Sequence, residues 1–420
     1  MNTVEYLRRL KVMAQCAYSV PSPPLRGRGL GRGGERFTTL ANQFFIGTNK
    51  KRPAIEQGQP VIHSPPLPCP LPRGGGEGTK RALSPGLLLG LIFSISAICS
   101  AEDRIVQRTG SGSQIGLSCI LLDYTGRGVT YQAKSGGATK RLPRGEIVEV
   151  TTHYNESHTA ARTLFAEGKA AEAFEKLNVA LEQENRLWVR REILATQVKC
   201  ALWNGDHIVA GERFLAIFES DPHTLYFPTM PLSWSDDPPS PELARAGRQW
   251  LSQSKNSAAQ LLGASHLLSD PKQTSAALLA LKSLAQDENP DIQRLAQMQL
   301  WRHKAMTEDV SREELLQWER LMEGADESLG GGPRFVLGMA WQQRREDVPA
   351  ATAWLWLPFV QADDRYLVAQ AAWNAGQALE RAGQAAEAAA IYEELVSRFA
   401  DTPHGTLGKS ARERLQQKKD

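Results

Sequence analysis

The pattern of apolar and polar positions divides the chain into three parts. From His153 onward, Ala and Leu recur at i, i+3 and i+4 between Glu, Gln, Lys and Arg, which is typical of amphipathic helices. Residues 102–152 instead carry short β-prone runs separated by Gly-containing turns, which predicts strands. Residues 1–79 show neither period. The sequence therefore predicts a mainly α protein with a small β module before the helices.

The β module at 102–152 is predicted from alternating apolar segments. The first segment begins at Gln114, a second follows the turn at Gly126–Gly128, and a third covers Glu146–Thr151. Four or five short strands in about 50 residues favour a small SH3-like barrel. Such a module suits either peptide recognition or a folded spacer, and the residues do not decide between them.

Proline and small residues mark the helix boundaries in the domain predicted at 241–325. Prolines 241 and 290 fall at helix starts, where the missing N–H removes no hydrogen bond. The predicted helices cover Pro241–Ser254, Ala258–Leu268, Thr274–Ala285, Pro290–Lys304 and Ser311–Met322. We interpret them as degenerate repeats of helix pairs.

A repeated spacing appears on both sides of that domain. Gly168, Ala173 and Leu177 recur 37 residues later as Gly205, Ala210 and Phe214. Glycine permits the left-handed turn that ends one helix, alanine lets the next helix approach closely, and the large residue fills the space between them. The clearest unit lies near the C-terminus and contains Trp373, Ala375, Gly376, Ala378, Gly383, Glu387, Ala388, Tyr392 and Leu395.

These residues resemble the tetratricopeptide repeat (TPR) family. The resemblance covers repeat-like units at 154–187, 191–224, 331–364 and 369–402. It implies an α-solenoid, with TPR-like repeats in the predicted domains 153–240 and 326–420. Two positions depart from the family pattern. Ala161 stands where an internal Gly is expected, and Arg345 stands where a helix-ending Gly is expected, which puts the turn of the third unit in doubt.

The resemblance also implies a peptide-binding groove lined by the first helix of each unit. Arg and Lys in such a groove suit carboxylate recognition, and Trp is enriched at binding hot spots. The tryptophans fit the core equally well. The implied partner-binding residues are His158, Arg162, Lys199, Trp203, Trp373, Gln377 and Arg381.

The first hundred residues predict export. Residues 1–79 are rich in Gly, Pro and Arg and are predicted to be a disordered tail, or translated sequence upstream of the true start. Residues 80–101 combine Lys80-Arg81, an apolar run and a small-residue end, which is the pattern of a signal peptide cleaved before Glu102. An uncleaved anchor through 83–101 is the alternative. Both interpretations predict an extracytoplasmic location for the rest of the chain, periplasmic or in the cell envelope.

The charge of the chain is unevenly distributed, which bears on the partners it can bind. The chain has 49 Lys+Arg and 46 Asp+Glu, but residues 1–101 hold 13 basic and 4 acidic residues. Residues 102–420 therefore carry 36 basic and 42 acidic residues. An acidic body argues against nucleic-acid binding, which needs a basic surface. Cys119 and Cys200 are predicted to be buried free thiols, although an oxidising compartment would permit a disulfide.

Candidate chemistry is sparse. The sequence contains no zinc-protease motif, nucleophile elbow or phosphate loop, so we predict no catalytic, cofactor-binding or metal-binding residue. The proline-rich stretch 226–239 interrupts the helices and is either a functional loop or an apolar cover with Tyr226, Phe227 and Trp234 buried. The expected function is a non-catalytic TPR scaffold that binds a protein or peptide, with a role in envelope assembly. A polysaccharide- or peptidoglycan-active enzyme built as a helical toroid is the alternative.

Overall fold

The computed structural model describes residues 103–110, 112–134, 136–323, 331–360 and 364–417. The predicted tail at 1–79 and the predicted export segment at 80–101 lie outside these residues. The described part is mainly helical: a small antiparallel sheet precedes fourteen helices. The predicted change from strands to helices near residue 153 is confirmed.

The sheet has five antiparallel strands in the order β4-β3-β2-β1-β5, where a 3-10 turn at Arg144–Glu146 links β4 to β5. The register of β2 shifts between Leu121 and Asp123, which marks a bulge in its pairing with β3. Ile105 and Val129 lie in the buried face. The strands are β1 Asp103–Arg108, β2 Gln114–Thr125, β3 Gly128–Ala133, β4 Lys140–Pro143 and β5 Ile147–Thr151.

The helices follow in sequence, and each packs mainly on its neighbours along the chain. The helices before residue 326 are α1 Glu156–Ala166, α2 Ala170–Gln183, α3 Leu187–Trp203, α4 His207–Ser220, α5 Pro241–Leu251, α6 Ser257–Leu267, α7 Thr274–Leu284, α8 Pro290–Thr307 and α9 Arg312–Glu323. The remaining helices are α10 Gly331–Gln343, α11 Asp347–Val360, α12 Arg365–Arg381, α13 Ala385–Phe399 and α14 Pro403–Gln417. The five helices predicted between 241 and 325 are present, with ends displaced by one to three residues.

The sheet is fixed to the first helices by polar contacts. The Arg191 guanidinium on α3 is almost fully buried, pairs with the Asp123 carboxylate and donates to the Tyr124 carbonyl at 3.0 Å. The Gly126 amide donates to Asp221 Oδ2 at 3.1 Å. A Cβ at Gly126 would lie 1.4 Å from the His223 carbonyl oxygen, so this approach requires glycine. Cys119 and Cys200 are both buried free thiols, as predicted.

Four helix pairs share one turn geometry. Gly168, Gly205 and Gly383 have φ of 78°, 76° and 75°, and Arg345 has φ of 59°. In each turn, that residue donates to the carbonyl three positions earlier and the next residue donates to the carbonyl five earlier; Gly205 donates to Leu202 at 3.0 Å and Asp206 to Ala201 at 2.8 Å. This is a Schellman ending. The doubt about the Arg345 turn is resolved, because arginine adopts the same left-handed conformation.

Replacing Arg345 with glycine is expected to raise the free energy of unfolding by about 0.5–1 kcal/mol. An L-residue in the left-handed region carries about 1–2 kcal/mol of steric cost that glycine avoids, offset in part by glycine's greater freedom in the unfolded chain. Urea unfolding of the purified protein measures the change. Gln343→Gly, at the right-handed end of the same helix, is the control and should lower stability by about 0.5–1 kcal/mol. A loss of stability in Arg345→Gly would contradict this interpretation of the turn.

Small and large residues interlock behind each turn. The alanine five positions after the turn residue is fully buried in all four pairs, and so is the large residue four positions later. A Cβ at Gly338 would lie 2.5 Å from Trp354 Nε1, and one at Gly376 would lie 2.3 Å from Tyr392 Cε1. The interlocking residues are Ala173 with Leu177, Ala210 with Phe214, Ala350 with Trp354, and Ala388 with Tyr392.

Gly376→Ala is expected to lower the free energy of unfolding by about 1–3 kcal/mol, because overpacking against the rigid Tyr392 ring exceeds the gain in helix propensity. Urea unfolding is the measurement. Gly247→Ala is the matched control, since its Cβ would meet Leu267 Cγ at 3.1 Å, a milder overlap, and the free energy of unfolding should change by less than about 1 kcal/mol. Equal effects of the two substitutions would argue against close helix approach at Gly376.

The C-terminal helices return to the start of the helical region, because α12 packs on α3. The Arg365 guanidinium lies 5.3 Å from the centroid of the Trp203 ring. A Cβ at Gly205 would lie 2.8 Å from the Tyr366 ring, so the two helices meet closely at this turn. Within the described ranges, no helix combines the length and the apolar composition that crossing a membrane requires.

Candidate functional site

Residues 226–239, here called the central segment, pass between helices; Phe227, Met230 and Leu232 are buried, whereas residues 236–238 are exposed. Prolines 228, 231, 238 and 239 lack an N–H group, so the segment cannot continue a helix. Only one short 3-10 turn forms, at Phe227–Thr229. The backbone polar groups of the rest must therefore find partners on the surrounding helices.

Apolar side chains of the segment pack against several helices. Phe227 is buried, with its ring centroid 6.1 Å from that of Phe214 and 6.0 Å from that of Phe218, both on α4. Trp234 lies against Gly332 of α10, where a Cβ would come within 2.0 Å of the indole. Met230 and Leu232 are also buried. The segment therefore contacts helices that are far apart in sequence.

Polar side chains of α6 and α8 bind the segment through its backbone. Arg302 Nη1 donates to the Ser233 carbonyl at 2.9 Å, and Arg302 Nε donates to the Ser235 carbonyl at 2.8 Å. Gln299 Nε2 also donates to the Ser233 carbonyl, at 2.9 Å. The Ser233 amide donates to Ser265 Oγ at 3.3 Å. These bonds involve no side chain of the segment, so they recognise its extended backbone rather than its sequence.

Arg302 is fully buried, although its neighbours are mostly neutral. It further donates to the Ser265 carbonyl at 2.8 Å, to Gln299 Oε1 at 3.0 Å and to Ser269 Oγ at 2.6 Å. Burial lowers the pKa of Arg302 to about 9, against the opposing effect of Asp236 and Asp237. The guanidinium thus connects three parts of the interior.

His266 contributes another backbone contact. Its Nε2 lies 3.0 Å from the Pro231 carbonyl oxygen, which fixes the neutral ring with its proton on that nitrogen. Burial, together with the nearby His207 and Arg302, lowers the pKa of His266 to about 3. The carbonyls of Pro231, Ser233 and Ser235, at every second residue of the segment, all accept from side chains of α6 or α8.

A small cavity lies beside the segment. It has a volume of about 60 Å³ and is bounded by Lys199 and Leu202 of α3, by Leu367 and Val368 of α12, and by residues 228–232. Asp364, which caps α12 by accepting from the Tyr366 and Leu367 amides, also faces it. Beyond the cavity, Gln370 Nε2 donates to Asp237 Oδ2 at 2.9 Å. The packing between segment and helices is thus incomplete on the α3–α12 side.

The seven predicted partner-binding residues do not lie together in the structure. Lys199 is the one that lines the central cavity. His158 is wrongly predicted as a groove residue, because it is 0 % exposed and its ring packs on Tyr154 with centroids 4.5 Å apart. At this position of α1 the ring lies against Tyr154 in the connection before the helix and faces no open groove.

Of the other predicted residues, two lie on α1 and α3 and three lie on α12. Arg162 is half-buried, with its guanidinium 5.1 Å from the centroid of the Tyr154 ring. Trp203 is half-buried between Phe165 and Arg365. On α12, Trp373 lies 5.4 Å from the Tyr392 ring, Gln377 is half-buried, and the exposed Arg381 donates to Asp347 Oδ1 at 2.8 Å.

The prediction that residues 226–239 form an apolar cover, with Tyr226, Phe227 and Trp234 buried, is only partly confirmed. Phe227 is buried, whereas Tyr226 and Trp234 are half-buried. The segment also reaches α8, α10 and α12, far beyond the second unit. Sequence reasoning missed Arg302, Gln299 and His266, which bind it. The five prolines in 228–241 were the available signal, because a run without amide donors needs partners for its carbonyls.

A second concave site lies between α8 and α9. The groove has a volume of about 630 Å³, and at its base the Trp301 and Trp318 rings stack with centroids 5.0 Å apart. Glu313 and Glu314 line it, and Lys304 Nζ pairs with Glu314 at 2.6 Å. Two carboxylates thus share one groove, although one of them is already neutralised by a lysine.

A buried polar cluster lies under the first unit. Glu192 is buried, and burial raises its pKa, while the Tyr154 hydroxyl donates to its carboxylate at 2.9 Å. Nearby, Arg186 pairs with the Glu184 carboxylate at 2.7 Å. The cluster connects the end of the sheet to α3 and has the character of a structural network.

No group of three or more His, Cys, Asp or Glu side chains within the described ranges is arranged to hold a metal ion. The chain matches no protein-family model, no curated protein and no solved structure.

Proposed function

We propose that this chain is a non-catalytic, TPR-like α-solenoid scaffold that binds a protein or peptide outside the cytoplasm, with a role in cell-envelope assembly. One observation carries the proposal: the helices hold an extended, proline-rich segment by its main-chain carbonyls. Backbone recognition of an extended chain is how peptide-binding domains accept their ligands.

Two features support the TPR-like description. Four helix pairs share the Schellman turn and the interlocked small and large residues that the family uses to stack its units.

For the β module, the strand order and the 3-10 turn between β4 and β5 favour an SH3-like barrel. Its contacts with α3 favour the spacer role, because they fix the module to the helices.

The proposed location depends on residues 80–101. The basic start, the apolar run and Ala101 before Glu102 favour export and cleavage, with anchoring through 83–101 as the alternative. Sequencing the N-terminus of the mature protein tests this. A chain that begins at Glu102 is the expected result, and recovery of residues 1–80 in the mature protein would contradict cleavage.

Site-specific photo-crosslinking in intact cells tests the scaffold function. The full chain carries the crosslinking residue at Gln377 on α12, with a matched control at Leu279 of α7, which is 74 % exposed. We expect a discrete protein adduct at position 377 and none of that mass at 279. The protein identified from the adduct should bind the purified chain, and Arg381→Glu should weaken that binding. Identical adducts at both positions, or none, would contradict a specific protein-binding scaffold.

The groove between α8 and α9 favours one rival, a polysaccharide- or peptidoglycan-active enzyme. Its paired carboxylates and stacked indoles are the elements that such an enzyme needs. Incubating the purified chain with peptidoglycan and measuring new reducing ends decides between them. The scaffold proposal predicts no release. Release that disappears in Glu313→Gln would establish the enzyme instead.

A further inference from the structure

The central segment is bound as a peptide ligand is bound. Its carbonyls at alternate residues accept from His266, Gln299 and Arg302, while Phe227, Met230 and Leu232 enter the apolar interior. Proline-rich peptides need little ordering on binding, because their backbone is already restricted and extended. Residues that bind carbonyls rather than side chains will accept other segments of the same backbone shape.

Both ends of the buried part of the segment lie at the surface. The exposed residues Asp236–Pro238 and the exposed Pro222 lie on either side of the buried part, so the chain enters and leaves the groove at the surface. The cavity of about 60 Å³ lies between the segment and the α3–α12 side. The helices around the groove also contact one another directly, through α3 with α12 and α8 with α10.

We propose that the interior groove formed by α3, α6, α8, α10 and α12 is a binding site for an extended, proline-rich peptide with apolar residues between its prolines, and that the central segment occupies this site as a built-in ligand. The occupant in trans is such a stretch of another protein. The proposal rests on the proposed scaffold function and names the chemistry of its partner. Arg302, Gln299 and His266 are the residues that would bind the partner's carbonyls.

Excision of the segment from the full chain tests this. Sites for a specific protease are inserted between Pro222 and His223 and between Asp237 and Pro238, so that cleavage releases residues 223–237 as a peptide. Cleavage leaves residues 1–222 and 238–420 as two fragments, here together called the emptied chain, which should stay associated through the contact of α3 with α12. After dialysis, the emptied chain should keep its helical circular dichroism. It should then bind a fluorescently labelled 223–237 peptide saturably by anisotropy, and Arg302→Lys should weaken that binding more than tenfold. A peptide with Leu232 and Trp234 replaced by alanine is the matched control and should bind at least tenfold more weakly.

A second variant avoids dependence on cleavage. In the intact chain, Leu232→Ala with Trp234→Ala weakens the built-in ligand, so the labelled wild-type peptide should bind at least tenfold more tightly than it binds the unmodified chain. Competition by a tethered segment at millimolar effective concentration explains this difference. Cooperative loss of helicity on removal of the peptide, together with no peptide binding by the intact variant, would show that the segment is only core and would overturn the proposal.

The two proposals fail separately. Peptide binding without any specific adduct in cells would leave the groove established and remove the scaffold role. A specific adduct whose partner binds equally well when the groove is filled would keep the scaffold role and overturn the groove as its site.

Discussion

Replacing Arg302 with methionine is expected to lower the free energy of unfolding by about 3–5 kcal/mol. The guanidinium is fully buried and donates to the carbonyls of Ser233, Ser235 and Ser265. Methionine fills much of the volume but removes all three bonds, and among the bonds that the structure describes only the Ser233 carbonyl keeps another donor, Gln299. A buried acceptor that loses its partner costs about 1–3 kcal/mol. Urea unfolding at pH 7 measures the difference.

The control for this substitution lies on the same helix. Arg294 is partly exposed and pairs with Asp291 at 3.9 Å. Among the residues that the structure describes, no hydrogen bond joins Arg294 to the central segment. Arg294→Met should change the free energy of unfolding by less than about 0.5 kcal/mol. Similar effects of the two substitutions would show that Arg302 does not hold the segment.

The second large effect is a loss of stability in mild acid. Burial lowers the pKa of His158 to about 4, with Arg162 adding to the effect, and lowers that of His266 to about 3. Both rings stay neutral in the folded protein at pH 5, whereas the unfolded chain binds a proton at each, with a pKa of about 6.5. The unfolded state therefore gains protons as the pH falls. Stability should drop by about 2 kcal/mol per histidine between pH 7 and pH 5.

Urea unfolding at pH 7 and at pH 5 tests this for the wild type and for two variants. His158→Leu and His266→Gln each remove one titrating ring, so each should reduce the difference in stability between the two pH values by about 2 kcal/mol. The variants are compared by the difference in their free energy of unfolding between pH 7 and pH 5, because each substitution also alters stability at pH 7. His153→Gln, in the exposed connection before α1, is the control and should leave the difference unchanged. A difference that persists in both histidine variants would contradict neutral burial.

Local features of the fold could be predicted from the sequence. Pro241 and Pro290 mark helix starts and Gly168, Gly205 and Gly383 mark helix ends, because each of these residues acts through its own backbone. The 37-residue repeat was visible for the same reason. At Arg345 the repeat position predicted the turn better than the residue type, since the surrounding helix pair imposes the left-handed conformation.

The candidate site could not be predicted, because it depends on contacts between distant parts of the chain. Arg302 binds residues 67 and 69 positions away, and Gln370 binds Asp237 across 133 positions. Nothing in the sequence around Arg302 distinguishes a buried arginine from an exposed one on an amphipathic helix. The prediction for His158 was wrong for a related reason, since its ring is fully buried against Tyr154, a contact that the helical pattern does not reveal.

Removal and return of residues 223–237 in the full chain is the most direct test of the peptide groove. The expected result is an emptied chain that stays helical and binds the labelled peptide saturably, with at least tenfold weaker binding in Arg302→Lys. An emptied chain that stays helical but gives no anisotropy change at peptide concentrations up to about 1 mM, the weakest end of specific binding, would contradict it. Loss of helicity together with no peptide binding by the intact Leu232→Ala, Trp234→Ala variant would contradict it as well.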